Sequence, residues 1–180
     1  MPSLHGLALL VIGAVGMAWA PFGHPRVMDS VDQDDAIITE RKVETAALPV
    51  GVFFKKGSAD MSAVHAGAGE RAAGVTRESF PRPESTVTGD WDDYGVGAHA
   101  VCIERTTQGV WVKTLDSSAP AEKAPITSDA NGLATATVAS GNYVNGFVAP
   151  DPDGSFYQTD RSGTKWVHIL PNWATKEVAP

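Results

Sequence analysis

All-β is the fold class that this 180-residue sequence predicts: one small β-barrel or β-sandwich with an extended N-terminal arm. Three observations predict it. From Leu48 onward, turn signals recur at roughly 8–12-residue spacing, the interval of sandwiches and barrels. The short apolar runs between them alternate with period two, as half-buried strands do. No amphipathic helical pattern longer than about three turns follows residue 48.

Composition agrees. Hydrophobic residues make up 43% and charged residues 19%, a globular balance. The 18 glycines and 12 prolines are spread along the chain, which suits many turns rather than one low-complexity tract. A formal net charge of −7 and a pI near 5.1 argue against a general nucleic-acid binder, which needs a basic footprint. The single cysteine, Cys102, cannot close an intrachain disulfide. It lies in an apolar run and reads as a small buried hydrophobe.

The elements follow in order. Residues 4–20, LHGLALLVIGAVGMAWA, are the most apolar stretch. They fit an arm packed into a partner or neighbouring subunit, a signal peptide or membrane anchor, or a mis-assigned start. Ala18-Trp19-Ala20 resembles a cleavage site, but MPSLHG carries no Lys or Arg and Pro21 would follow the cut. Pro21 and Pro25 break any helix begun upstream. Residues 29–45, DSVDQDDAIITERKVET, are acidic and weakly periodic, and read as an extended arm with one short strand at AIITERKVE. The expected organisation is therefore residues 1–45 as apolar segment and acidic arm, and residues 46–180 as the β-rich domain.

Within that domain, LPVGVFFKKG is a strand closed by Gly57, with Ser58 to Asp60 turning. ERAAGVTRES is a strand with Gly74 as a candidate bulge. Residues 80–93, FPRPESTVTGDWDD, form a loop long enough to reach a partner. Residues 94–114, YGVGAHAVCIERTTQGVWVKT, alternate on both sides of Thr106-Thr107-Gln108-Gly109 and read as a β-hairpin. Its core face would carry Val101, Ile103, Val110 and Val112. Asp129-Ala130-Asn131-Gly132 is a turn ahead of LATATVA, and GNYVNGFVAP is a further strand. Asp151-Pro152-Asp153-Gly154 turns into the strands SFYQTD and KWVHIL. LPNWATKEVAP ends the chain as a strap.

Catalytic patterns are weak. His5, His24, His65, His99 and His168 are scattered, none at the i, i+4 spacing of a helical zinc site. No G-x-S-x-G surrounds a serine. Asp151-Pro152-Asp153-Gly154, with Asp160 nearby, is oxygen-rich, but it lacks the other ligands of an EF-hand and reads as a tight turn. Asp90, Asp92 and Asp93 flank Trp91 in what reads as a solvated loop. No catalytic residue, metal site or cofactor is expected. What remains is protein contact, for which Trp91, Tyr94, Tyr143, Tyr157, Trp166 and Trp173 are the candidates, being large amphipathic groups of the kind enriched at interfaces.

The order of these segments resembles a family. Pro49, Gly51 and Gly57 match a "PxGxxVxxG" opening; Gly74, Val75 and Thr76 match an "xxGVT" strand. Tyr94, Gly97, Val101, Gly109, Val110, Trp111 and Val112 match "YxxGDxVxVLxxGxVWV", with Ala98-His99 where the family often has Asp; Gly146 and Phe147 match a late "GxF". Residues 47–150 thus resemble the structural cement, or head decoration, proteins of tailed bacteriophages. The resemblance implies a virion protein, assembled in the host cytoplasm and bound to the outer capsid surface. Its partners would be the major capsid protein and itself, as a homotrimer or dimer, with no nucleic acid and no membrane in the mature virion. The acidic arm would lie on basic capsid surface. The competing expectation from the N-terminus is an exported or membrane-anchored β-domain of a bacterial envelope. An enzyme would require a deep pocket gathering titratable groups.

Overall fold

A computed structural model describes residues 36–77, 93–160, 162–172 and 178–179. The apolar segment 4–20, the acidic run before Ala36 and most of the 80–93 loop lie outside the described residues. So do Trp91 and Trp173.

The named elements among the described residues are all strands. Five close a barrel: β1 (Ile37–Val43), β4 (Ser62–His65), β3 (Phe53–Lys56), β5 (Gly74–Arg77) and β7 (His99–Arg105), in that order. The β1–β4 pair is parallel and the others antiparallel. Two short strands, β2 (Leu48–Pro49) and β6 (Asp93–Tyr94), pair with each other. A second sheet runs β10 (Ala134–Thr135), β9 (Pro125–Ser128), β11 (Gly146–Val148), β13 (Lys165–Pro171), β12 (Tyr157–Thr159), with β8 (Val110–Lys113) also pairing β13. The all-β expectation holds, with a closed barrel joined to a second sheet.

Two apolar cores explain why the chain folds this way. The smaller gathers Val43, Leu48, Val52, Phe54, Ala63, Ala100 and Cys102 among the barrel strands. The larger takes Phe53, Val75 and Ile103 from the barrel and Val110, Trp111, Val112, Ile126, Val148, Trp166 and Ile169 from the second sheet. Successive side chains in a strand point to opposite faces. Hence Phe54 and Cys102 enter the small core while their neighbours Phe53 and Ile103 enter the large one.

That double burial overturns the hairpin expected at 100–114. β7 pairs with β1 and β5, whereas β8 pairs with β13. Both segments alternate as expected, but each is apolar on both faces: Ala100, Cys102 and Ile103 are all buried, as are Val110, Trp111 and Val112. A lone hairpin leaves one face open, so the four residues Thr106–Gly109 instead carry the chain from barrel to sheet.

The arm boundary also moves. The strand expected at AIITERKVE forms, and as β1 it is a stave of the barrel, paired along most of its length with β7. The barrel therefore starts at Ile37, inside the segment assigned to the arm. The irregularity in register falls between Ile37 and Ile38, not at Gly74. Gly74 instead permits close approach, since a Cβ there would lie 1.9 Å from the Ile103 carbonyl oxygen. Gly51 is constrained twice, by φ +76° and by the Trp166 ring 2.3 Å from where its Cβ would be.

Three loops share one design. Asp129, Asp151 and Asp160 each accept two backbone N–H bonds through Oδ1, from the residues two and four positions on. Each also has a glycine three positions on with positive φ, at Gly132, Gly154 and Gly163. The first and third close the β9–β10 and β12–β13 hairpins. The oxygen-rich look of residues 151–154 has this cause: the carboxylate of Asp151 serves its own turn. At the end of the chain, β13 takes in Leu170 and Pro171 of the expected strap, and Val178 bridges back to Tyr143.

Candidate functional site

The aromatic contact candidates do not form one patch. Tyr94 sits on β6, packs against both cores, and donates its hydroxyl to the Arg77 carbonyl. Tyr143 is half-buried beside Val178. Tyr157, on β12, donates to the Asp116 carbonyl at 2.9 Å; burial, then the Asp116 charge, push its phenol above the usual range. Each ring keeps part of its surface toward solvent. Trp166 differs. It is fully buried, its indole N–H donates to Asp160 Oδ2 at 2.9 Å, and the Lys113 ammonium stands 5.4 Å from its ring centre. It belongs to the core and offers no surface to a partner.

The structure presents apolar groups that aromatic composition did not flag. Val96 is 61% exposed at the tip of Gly95-Val96-Gly97-Ala98. This turn closes through Ala98 N–H to Gly95 O at 2.9 Å, with Gly97 at φ +83°. It is tied to β1 by Gly97 N–H to Val43 O at 2.8 Å and Val43 N–H to Ala98 O at 2.9 Å. A valine held out on a turn pinned to a barrel strand is a preorganised apolar knob. Leu170 and Val178 are exposed too, and Leu170 faces Phe147 across β13 and β11.

The ionisable groups serve the fold. Burial pushes the Cys102 thiol up to about 12, which makes it a poor nucleophile. Burial also lowers the His168 imidazole, whose Nδ1 lies 2.8 Å from the Ala149 carbonyl. Glu44 gathers the β3–β4 loop: its carboxylate accepts from Ser62 Oγ at 2.5 Å, Ala59 N–H at 2.7 Å and Ser58 N–H at 3.0 Å. These bonds, the Ser62 bond foremost, hold it down to about 2. No group of three or more metal-type side chains occurs among the described residues.

One end of the barrel is ionic. Arg41, buried among the strands, pairs with Glu104, which also accepts from Thr39 Oγ1 at 2.6 Å. Burial acts to raise the Glu104 carboxyl, but the bonds from Arg41 and Thr39 prevail and it lies below the usual range. Lys55 pairs with Glu70 at 2.6 Å, and that bond, with the Gly67 N–H, lowers Glu70. Beside these pairs lies a pocket of about 420 Å³ lined by Lys55, Lys56, Arg71, Glu104 and Arg105 with Ala72 and Ala73.

Residues 27–177 match the family described as "Structural cement protein (E217 gp24/Pam3 gp6)", a phage cement family. The matched span contains every strand of both sheets. No curated protein matches the chain.

Proposed function

The chain belongs to the phage structural cement family, and from that premise we propose that it binds the outer surface of a phage capsid and reinforces the contacts between major capsid protein subunits. The observation that carries this reading is the family match across the whole barrel and second sheet. The physics supports it. Packed DNA loads a shell outward, and a rigid body adhering across a joint adds buried area that must be exposed before the joint opens. A standard interface of about 1,600 Å² supplies this at one site. Self-association multiplies it, because linked sites bind with avidity. We therefore take the working unit as a homotrimer at local symmetry axes, with residues 37–179 as the capsid-binding body.

Contacts in this proposal come from Tyr94, Tyr143 and Tyr157, from Trp91 and Trp173, and from the Val96 knob. Trp166 is not among them. An enriched aromatic with a free edge and an apolar group on a fixed turn are the anchors that an interface uses.

The test is cosedimentation of the purified chain with emptied, expanded capsids that lack it. Saturable binding at a fixed ratio to the major capsid protein, with capsid disruption shifted to higher temperature, is the expected result. Absence of binding, or binding without any gain in shell stability, refutes the reading. Val96→Asp should leave the unfolding free energy within about 0.5 kcal/mol of wild type, being a surface change, and lower capsid occupancy about tenfold or more. Unchanged occupancy removes Val96 from the contact face.

A further inference from the structure

Pro125, Phe147 and Leu170 stand side by side on three adjacent strands, because Phe147 of β11 pairs with Pro125 of β9 and with Leu170 of β13. Directly paired residues share a face of the sheet. Their chain neighbours Ile126, Val148 and Ile169 are buried in the larger core, so this row lies on the outside. Pro125 is exposed, Leu170 is 48% exposed and Phe147 is half-buried. Two strand spacings make the row about 10 Å wide.

A turn lies at one end of the row. It closes through Ala124 N–H to Ala121 O at 3.0 Å, and Lys123 N–H is fixed to Val148 O at 2.7 Å. Its two central residues, Glu122 and Lys123, are exposed and opposite in charge. Neither forms an ion pair among the described residues. Lys123 has φ +64°, a conformation that such a turn favours for Gly or Asn. Strain kept at an exposed lysine points to a use for its side chain. An apolar row flanked by one charge of each sign complements itself. Turned about a two-fold axis, row meets row and each Lys123 meets the Glu122 of the other copy. At this patch the formal charges cancel, although the whole chain carries −7 and its copies otherwise repel.

We propose that the row Pro125, Phe147 and Leu170, with the tip Glu122 and Lys123, forms a two-fold contact with a second copy of this chain. This surface is separate from the one that would build a trimer, and it doubles whatever unit that other contact makes. The proposal does not rest on capsid binding.

The experiment is sedimentation velocity of the full-length chain over a concentration series. The wild type should reach the mass of two chains, or of six if the trimer also forms. Leu170→Asp should weaken pairing about tenfold or more and leave the half-mass unit. Glu122→Lys and Lys123→Glu should each weaken it severalfold, since like charges then meet across the axis. Both substitutions in one chain should restore it, because the swapped charges again face opposite partners. Lys123→Gly should raise the urea midpoint by relieving strain, and still weaken pairing. Near-UV circular dichroism shows which variants keep the fold. Should Leu170→Asp lose it, Leu170→Ser and the charge series decide the matter. A wild type that stays at one chain or three at every concentration overturns the proposal. So does pairing indifferent to Leu170, or a double swap that restores nothing. Two chains parted by Leu170→Asp uphold this contact and remove the trimer, whereas three chains untouched by it do the reverse. Pairing found only on capsids assigns the row to the shell and refutes the contact.

Discussion

Glu44 lies just outside β1, yet its carboxylate organises the loop between β3 and β4 through Ser62, Ala59 and Ser58. These bonds lower its pKa from 4.5 to about 2. A carboxyl that ionises more readily in the fold than in the unfolded chain stabilises the fold above its unfolded pKa. That contribution is lost as pH falls through the folded value. The stability difference between wild type and Glu44→Gln should therefore be widest above pH 4.5 and shrink toward pH 2. Urea midpoints across that range measure it, and a constant difference would disconnect Glu44 from acid unfolding. Gly51 gives a second test at this scale. Gly163 has a similar φ of +86° with open space around it, whereas at Gly51 a methyl also meets the Trp166 ring. Gly163→Ala should cost about 1 kcal/mol, the left-handed backbone penalty alone. Gly51→Ala should cost about 2 kcal/mol more, from overpacking. Equal costs would mean that the indole moves aside freely.

At the scale of elements, β1 decides where the folded body begins. It joins β4 on one side and β7 on the other, so removing it opens the barrel and exposes two unpaired edges. A chain starting at residue 36 should keep a cooperative thermal transition; a chain starting at residue 46 should lose it and aggregate. Equal stability of the two truncations would show that β1 is dispensable. The sequence shows this strand but conceals its place in the barrel, for a physical reason. Its outward residues include Glu40 and Lys42, and one inward residue is Arg41, which is buried only because Glu104 meets it. An alternation with a charge on its inner face looks like a solvated arm. The 100–114 segment fails differently: period two reports a pleat but says nothing of the partner, and only burial on both faces separates two strands in different sheets from one hairpin. β9 is short and begins with Pro125, so no apolar run announces it. The turns at 129 and 151 were more legible, each an Asp followed three positions later by Gly, and the loop at 160 repeats their design. The proposed contact residues were the least legible. Aromatic composition selects Trp166 as readily as Tyr94, and burial alone separates them, while a lone Val96 between glycines carries no signal until the turn is seen.

For the molecule as a whole, the question is whether barrel and sheet act as one body, as a cement must if it is to carry load across a joint. The structure argues for one body. β3 and β7 each feed both cores, and Gly51 donates to the Thr76 carbonyl at 2.9 Å while accepting from Lys113 of β8 at 2.7 Å. Asn145, buried beside β11, accepts from Ala72 N–H at 2.9 Å and donates to Glu70 O at 3.0 Å, tying the second sheet to the segment before β5. Phe53→Ala empties the larger core and Phe54→Ala the smaller, and each should cost about 3–5 kcal/mol. Both should lower a single transition rather than split it. Two probes report on different cores: near-UV circular dichroism, to which Trp111 and Trp166 contribute, and alkylation of Cys102, whose buried thiol is shielded until the barrel opens. In wild type and in both variants, the two should change at the same denaturant concentration. If Cys102 reacts before the dichroism changes, the barrel is a separate and weaker unit, and a shell joint reinforced by this protein would fail there first.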